Sequence, residues 1–433
     1  MKKEVKKSLK LIVETINSKQ FLESHRKSKK NFIRNRKMPF ASLVLFMLNL
    51  VKKTLQKELT EFFSNFSREK NITKSAFCQS RMNLNYTAFI ELNDLMINEF
   101  YQNSEYKTWS DFRLLAIDGS RLQLPMSKEV IETFGYSKNN HETITPMAQS
   151  SCCFDLLNKK ILNSEIGRNE TSEYELATEH LSKINSLRDL LIYDRGYSGI
   201  WFMFYHLFLG RDFLVRMQRN SIKEVQGFFK SDEKSKIIEI GKLHNKSSEQ
   251  LIKKGINFDS FKIRLVKVIL DKGEVEVLAT SLLDDKKYPN EEFKDLYFLR
   301  WGIETEFDHL KNHLMIEDFT GLSALSILQD FYSTQLATNL QQLIINEAEE
   351  ELREEKKDSK YEYKVNRNLS TGFMKDRLIE IIFTKNEKQQ ERKFDELKEL
   401  FKINPTPIRK GRSFPRVYHK TRKKFYIKKK RAI

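Results

Sequence analysis

The sequence predicts an α/β protein with a helical N-terminal domain and a β-rich stretch set into the α/β part. Three observations carry this. Apolar residues at helical spacing, with few breakers, fill residues 1–105. From Phe112 onward, apolar runs of strand length alternate with helical segments. Residues 212–283 then hold four more strand-like runs, the last two joined by the hairpin signal Asp271-Lys-Gly.

In chain order, Pro39 to Leu59 reads as one strongly apolar helix, and Thr73 to Tyr101 as two helices jointed near Asn83 and Asn85. A small helical domain among basic segments suits DNA binding, and a plain structural bundle fits the segment nearly as well. FRLLAI (Phe112 to Ile117) is a buried-type strand that closes at Asp118-Gly-Ser. SSCCFDL and KKILNSEI form a hairpin, and Glu173 to Ser186 a helix. Leu190 to Tyr193 is a second buried strand, closed by Asp194-Arg195-Gly196 and followed by a helix from Trp201 to Leu209. FLVRMQ, KIIEI, FKIRLVKVIL and EVEVLATSLL are the strands of the β-rich stretch. A helix begins after Pro289, and a long amphipathic helix runs from Leu325 to about Glu349. The expected division is 1–105, a helical DNA-binding domain with a basic arm; 106–210, the first part of an α/β core; 211–288, a β-rich insertion; 289–375, the second part of the core; and 376–433, a C-terminal helix with a basic tail.

Composition narrows the function classes. The net charge is +18, with +10 in residues 1–37 and +12 in residues 409–433, leaving about −4 between them. Basic ends on a near-neutral body suggest a polyanion such as nucleic acid. Cys78, Cys152 and Cys153 suggest neither a disulfide framework nor C-x-x-C metal spacing, which fits a reducing compartment. The longest apolar run, near Leu43 to Val51, is too short to span a bilayer, and no signal peptide is expected. No Walker loop, G-x-S-x-G or H-E-x-x-H occurs. His309 and His313 have i, i+4 spacing, but no third ligand is evident and they point well away from Glu304.

The stretch YFLRWGIETEFDHLK (Tyr297 to Lys311) carries two rows. At about 100° per residue, Leu299, Ile303, Phe307, Leu310 and Leu314 form a core-facing stripe. Tyr297, Arg300, Glu304 and Lys311 line up beside it, and Gly302 sits among them where glycine costs about 1 kcal/mol relative to Ala. Alone, such a row reads as a solvated edge. Asp118 and Asp194, each closing an apolar strand, change that. Each could cap the next helix. Two strand-end aspartates and one helical glutamate are also what a pair of hard divalent cations requires for phosphoryl transfer. A phosphate could then be held by Arg300 in bidentate fashion, Lys311 as a point charge and the Tyr297 hydroxyl.

These blocks resemble the bacterial insertion-sequence DDE transposases of insertion-sequence family four. The row Y-x2-R-x3-E-x6-K is that family's signature, and IDGSRLQLP, LLIYDRGYSG and VLATSLLDD followed by LYFLRWGIETEFDHLK resemble its blocks in order, over roughly residues 70 to 425. The resemblance implies a ribonuclease-H-like core, a mixed sheet flanked by helices, with a β-rich inserted domain at 211–288. It implies Asp118, Asp194 and Glu304 as catalytic ligands of two Mg2+, with Mn2+ as a substitute. It implies DNA contacts from Tyr297, Arg300, Trp301, Lys311 and Arg195. The implied reaction frees a 3′-OH at the ends of an element and joins it to a target phosphodiester. The implied partners are terminal inverted repeats, target DNA and a second copy of the chain within the DNA complex. The expected setting is cytoplasmic and nucleoid-associated, without a membrane partner. Some relatives pass through a DNA hairpin and flip a base onto an aromatic ring. Residues 211–288 contain no Trp, so a ring there would have to be Phe228, Phe229 or Phe258. Two alternatives stay open: a ribonuclease-H-like nuclease that cuts without joining, and a basic DNA-binding protein whose acids are only caps.

Overall fold

The computed structural model describes residues 3–34, 37–50, 53–66, 72–138, 142–184, 188–243, 245–271 and 273–409. The basic tail from 410 onward lies outside the described residues. The chain divides into two units: residues 1–105, 121–148 and 308–433 in one, and 106–120 and 149–307 in the other.

Among the described residues there are eleven strands: β1 (Arg113–Gln123), β2 (Tyr136–Lys138), β3 (Ile144–Asp155), β4 (Lys160–Arg168), β5 (Asp189–Tyr193), β6 (Asp212–Arg216), β7 (Ser235–Ile240), β8 (Phe261–Ile269), β9 (Val275–Thr280), β10 (Glu362–Lys364) and β11 (Thr406–Ile408). Nine form one mixed sheet in the order β2-β3-β1-β5-β6-β9-β8-β7, with β4 also paired to β3. β1, β5 and β6 are parallel neighbours. β3 runs against β1, since the Leu156 N–H donates to the Leu114 carbonyl and the Leu124 N–H to that of Pro146. Leu190, Leu191 and Ile192 of β5 are fully buried, as a continuous apolar run in a parallel strand requires. This is the mixed sheet flanked by helices expected of a ribonuclease-H-like core. The strands of the β-rich stretch continue the sheet, because β9 pairs antiparallel with β6 and β8 with β9.

At the amino ends of β1 and β5 the register residues Arg113 and Asp189 form a buried bidentate pair, Nε to Oδ1 at 2.7 Å and Nη2 to Oδ2 at 3.0 Å. Arg211 adds a contact to Oδ2 at 3.3 Å. Burial pushes the Asp189 carboxyl up despite these partners. A slip of one residue between the strands would separate this pair and turn every side chain to the opposite face.

The other unit is mainly helical. The N-terminal basic segment is not an arm over its first part. Lys3–Asn17 and Lys19–His25 are helices, and Val5, Leu9, Ile12 and Ile16 are buried at i, i+3/i+4 spacing. The single helix expected from Pro39 to Leu59 is instead two, Phe40–Leu48 and Leu55–Phe66. Asn49 ends the first by exchanging hydrogen bonds with Asp376, and Leu50 takes a φ of 53°. The helix Ala324–Glu355 spans 32 residues and buries amides rather than apolar side chains at several turns. Gln329 Nε2 donates to the Arg81 and Leu84 carbonyls, Asn339 Nδ2 to Asn93 Oδ1, and Gln341 Nε2 to the Arg367 carbonyl and the Ser370 and Thr371 hydroxyls. Arg81, in the stretch SAFCQSRMNLN, is buried and bonded to Gln329, Thr320, Ser326 and Asp330. Among the described residues no helix is long and apolar enough to cross a membrane.

Candidate functional site

The register brings the two aspartates level. Ala116 of β1 faces Ile192 of β5, and Asp118 and Asp194 each lie two residues further on, so they share a face at the same height on neighbouring strands. One expectation is corrected here. β1 does not end at Asp118 but runs on to Gln123, since β3 still lies beside it where β5 has stopped. The Gly119 N–H donates to Asp118 Oδ1 at 2.8 Å, and the Gly196 N–H to Asp194 Oδ1 at 2.7 Å. Asp194 therefore does cap the short turn Arg195–Tyr197. Each aspartate uses one oxygen locally and keeps Oδ2 for another partner. β6 pairs Val215 with Tyr193, which brings Arg216 level with Asp194, and Arg216 Nη1 donates to Glu276 at 2.5 Å.

The signature stretch is not one helix. Glu292–Phe298 and Trp301–Asp308 are separate helices about Leu299 and Arg300, and His309–His313 form a π turn. Ile303, Leu310 and Leu314 are buried as expected, but Tyr297 and Arg300 are buried too, at 8% and 6% exposure. Arg300 Nη2 donates to Glu304 Oε1 at 2.5 Å, and Nη1 stands 3.8 Å from Asp118 Oδ2. Its guanidinium also lies 5.4 Å from the Trp301 ring and 5.9 Å from that of Tyr297. Trp301 itself is 41% exposed, and Arg195 is exposed beside Asp194. Lys311 belongs to the helical unit, where its ammonium donates to the Arg121 carbonyl at 2.6 Å. Gly302 packs against the turn between β3 and β4. A Cβ there would meet Leu156 Cδ2 at 3.2 Å and Lys159 Nζ at 3.5 Å.

Burial above all, helped by the charges of Asp194 and Glu173, pushes the Asp118 carboxyl up to about 7 against the Gly119 hydrogen bond and Arg300. Among the described residues, the hydroxyls of Tyr197 and Tyr297 and the Nε of Arg300 are buried without a hydrogen-bond partner. Excess negative charge, hard carboxylate oxygens and orphaned donors fit a divalent cation and an anionic substrate. Even so, no three metal-ligating side chains converge among the described residues. His309 is buried with its ring pushed down to about 3 by burial and by Arg367 and His313, which makes it a core histidine. Phe228 is buried, Phe258 packs on Phe204 and Phe261, and Arg219 covers the Phe229 ring.

Glu173, Tyr197 and Gln149 escape a sequence reading. Glu173 starts the helix Glu173–Lys183 with no apolar context to flag it, yet its carboxylate lies 3.3 Å from where a Gly119 Cβ would stand, and Gln149 Nε2 lies 2.8 Å from it. Glycine beside Asp118 is the one usable signal.

Residues 109–340 match the family model described as the transposase DDE domain. The chain belongs to the DDE transposase family. It is 24% identical over 275 residues to the transposase InsG for insertion sequence element IS4 of Escherichia coli strain K12, covering 62% of this chain and 60% of that protein. The chain thus spans less than two thirds of that curated relative. The cryo-EM structure of a piggyBac transposase synaptic complex with hairpin DNA has a TM-score of 0.48 at 10% identity, covering 90% of this DDE chain and 85% of that one.

Proposed function

We propose that the chain is an insertion-sequence transposase that cuts DNA at terminal inverted repeats and joins the freed end to target DNA. The observation that carries the reading is the level pair Asp118 and Asp194 on adjacent parallel strands, with Arg300 linking Asp118 to Glu304. Asp118, Asp194 and Glu304 would hold two Mg2+, or Mn2+ in their stead, whose chemistry is to lower the pKa of the attacking hydroxyl and stabilise the leaving oxygen. The chain's own groups do the rest. Arg300 grips a phosphate through its guanidinium fork. The Tyr297 hydroxyl, unpartnered and buried, donates to a phosphate oxygen. Trp301 offers an exposed face for a base, and Arg195 and Lys311 contact the backbone. Residues 1–105 read the element ends, and two copies bridge two ends in the nucleoid.

The test uses labelled duplexes made from the DNA flanking the reading frame, the full chain and Mg2+. The expected result is nicking and joined product from the wild type and neither from Glu304→Gln. Cleavage that survives Glu304→Gln overturns the reading, and cleavage that never yields joined product points to a nuclease.

A further inference from the structure

Arg300 stands among carboxylates that a divalent ion would need. It is bonded to Glu304 and close to Asp118, and no three metal-ligating side chains converge among the described residues. Its Nε is buried and has no hydrogen-bond partner among the described residues.

We propose that Arg300 is a positioning residue that keeps the acid site closed to divalent ions until DNA draws it away, so that metal loading is conditional on DNA. This rests on the metal-site reading above. A guanidinium bonded to Glu304 and 3.8 Å from Asp118 occupies a Glu304 lone pair and repels an incoming cation from both acids. Displacing it leaves a buried charge without a counter-ion, which is strongly unfavourable. A phosphodiester removes that obstacle, because its paired oxygens match the guanidinium fork and give the orphaned Nε an acceptor. The ion and the phosphate therefore help one another, and the coupling is reciprocal.

The experiment counts Mn2+ bound to the full chain by electron paramagnetic resonance, with and without a random-sequence duplex. Glu304→Gln supplies the baseline for ions held by DNA itself. Wild type should bind Mn2+ roughly 5- to 150-fold more tightly when DNA is present, the usual span of such couplings. Arg300→Gln should bind with similar tightness without DNA and gain nothing from it, and Arg300→Lys should stay weak without DNA. Arg300→Gln binding no tighter than wild type, or gaining equally from DNA, overturns the coupling. Should that variant fail to fold by circular dichroism, the wild type decides: Mn2+ must raise its affinity for the duplex by the same factor, and equal affinity overturns the proposal. If no protein binds Mn2+ above the baseline, the metal-site reading fails as well. If binding needs Glu304 but ignores Arg300, only the coupling fails.

Discussion

Replacing Asp189 by Asn should cost about 3 kcal/mol of stability in the unit made of residues 106–120 and 149–307. The carboxylate neutralises Arg113, whose side chain is 3% exposed, and also touches Arg211. Removing one partner of a buried ion pair typically costs about 3–5 kcal/mol, because the remaining charge is stranded. The lower end applies here. Burial already pushes the Asp189 carboxyl up, so its own desolvation is relieved in the variant. The double change Arg113→Met with Asp189→Leu removes both charges from the pair and should recover most of the loss, since Arg211 keeps its bonds to the Leu181 and Ile184 carbonyls. The assay is urea denaturation followed by tryptophan fluorescence. Trp109, Trp201 and Trp301 all fall within residues 106–120 and 149–307, so the signal reports that unit alone. A loss below about 1 kcal/mol for Asp189→Asn, or a double variant no better than the single, would refute the register-pin argument.

At Gly302, Ala should be near neutral. Helix propensity gains up to about 1 kcal/mol, and Leu156 must yield a few tenths of an ångström. Val should instead lose about 1–3 kcal/mol by overpacking, and equal urea midpoints for the two would contradict the packing described. His180, His206 and His309 are held neutral, with burial pushing them down to about 3, 4 and 3. A depressed histidine contributes stability above its unfolded value near 6.5 that is lost as pH falls toward the folded value. Each should therefore cost about 2 kcal/mol at pH 5 relative to pH 8, and a flat urea midpoint between those values contradicts this. Asp118, raised to about 7, holds a proton below that pH, so divalent-ion affinity should rise with pH and level off above about 7. Calorimetry at pH 6 with the duplex present, in two buffers of different ionisation heat, should show proton release on ion binding, and none would contradict the shift.

Much of the sheet is legible in the sequence because its strands are continuous apolar runs closed by polar turns, as at LLAI and LLIY. The continuation of β1 past Asp118 is only half legible: Arg121 to Leu124 alternates as a strand does, but Asp118-Gly-Ser reads as a break, and pairing with β3 is what keeps the backbone extended through it. Periodicity locates the apolar stripe of YFLRWGIETEFDHLK but misses its breaks at Leu299 and in the π turn, and it cannot foresee that Arg300 is buried. Burial of a charged group depends on distant partners, here Asp118. Glu173 is invisible for the same reason, since its approach to Gly119 is made only by folding. The N-terminal lysines hide an amphipathic helix because net charge says nothing of which face each one occupies.

The buried amides of the helix Ala324–Glu355 have a further consequence. Apolar contacts tolerate sliding, whereas Gln329, Asn339 and Gln341 each meet specific acceptors. A single inserted residue between 329 and 341 would rotate everything beyond it by about 100°, and a seven-residue deletion that nearly restores the angle would shorten the helix by about 10 Å. This segment thus acts as a ruler of fixed length. Divergence in length among relatives should fall outside it, for example in the turn between Glu355 and β10, while positions 329, 339 and 341 stay in step.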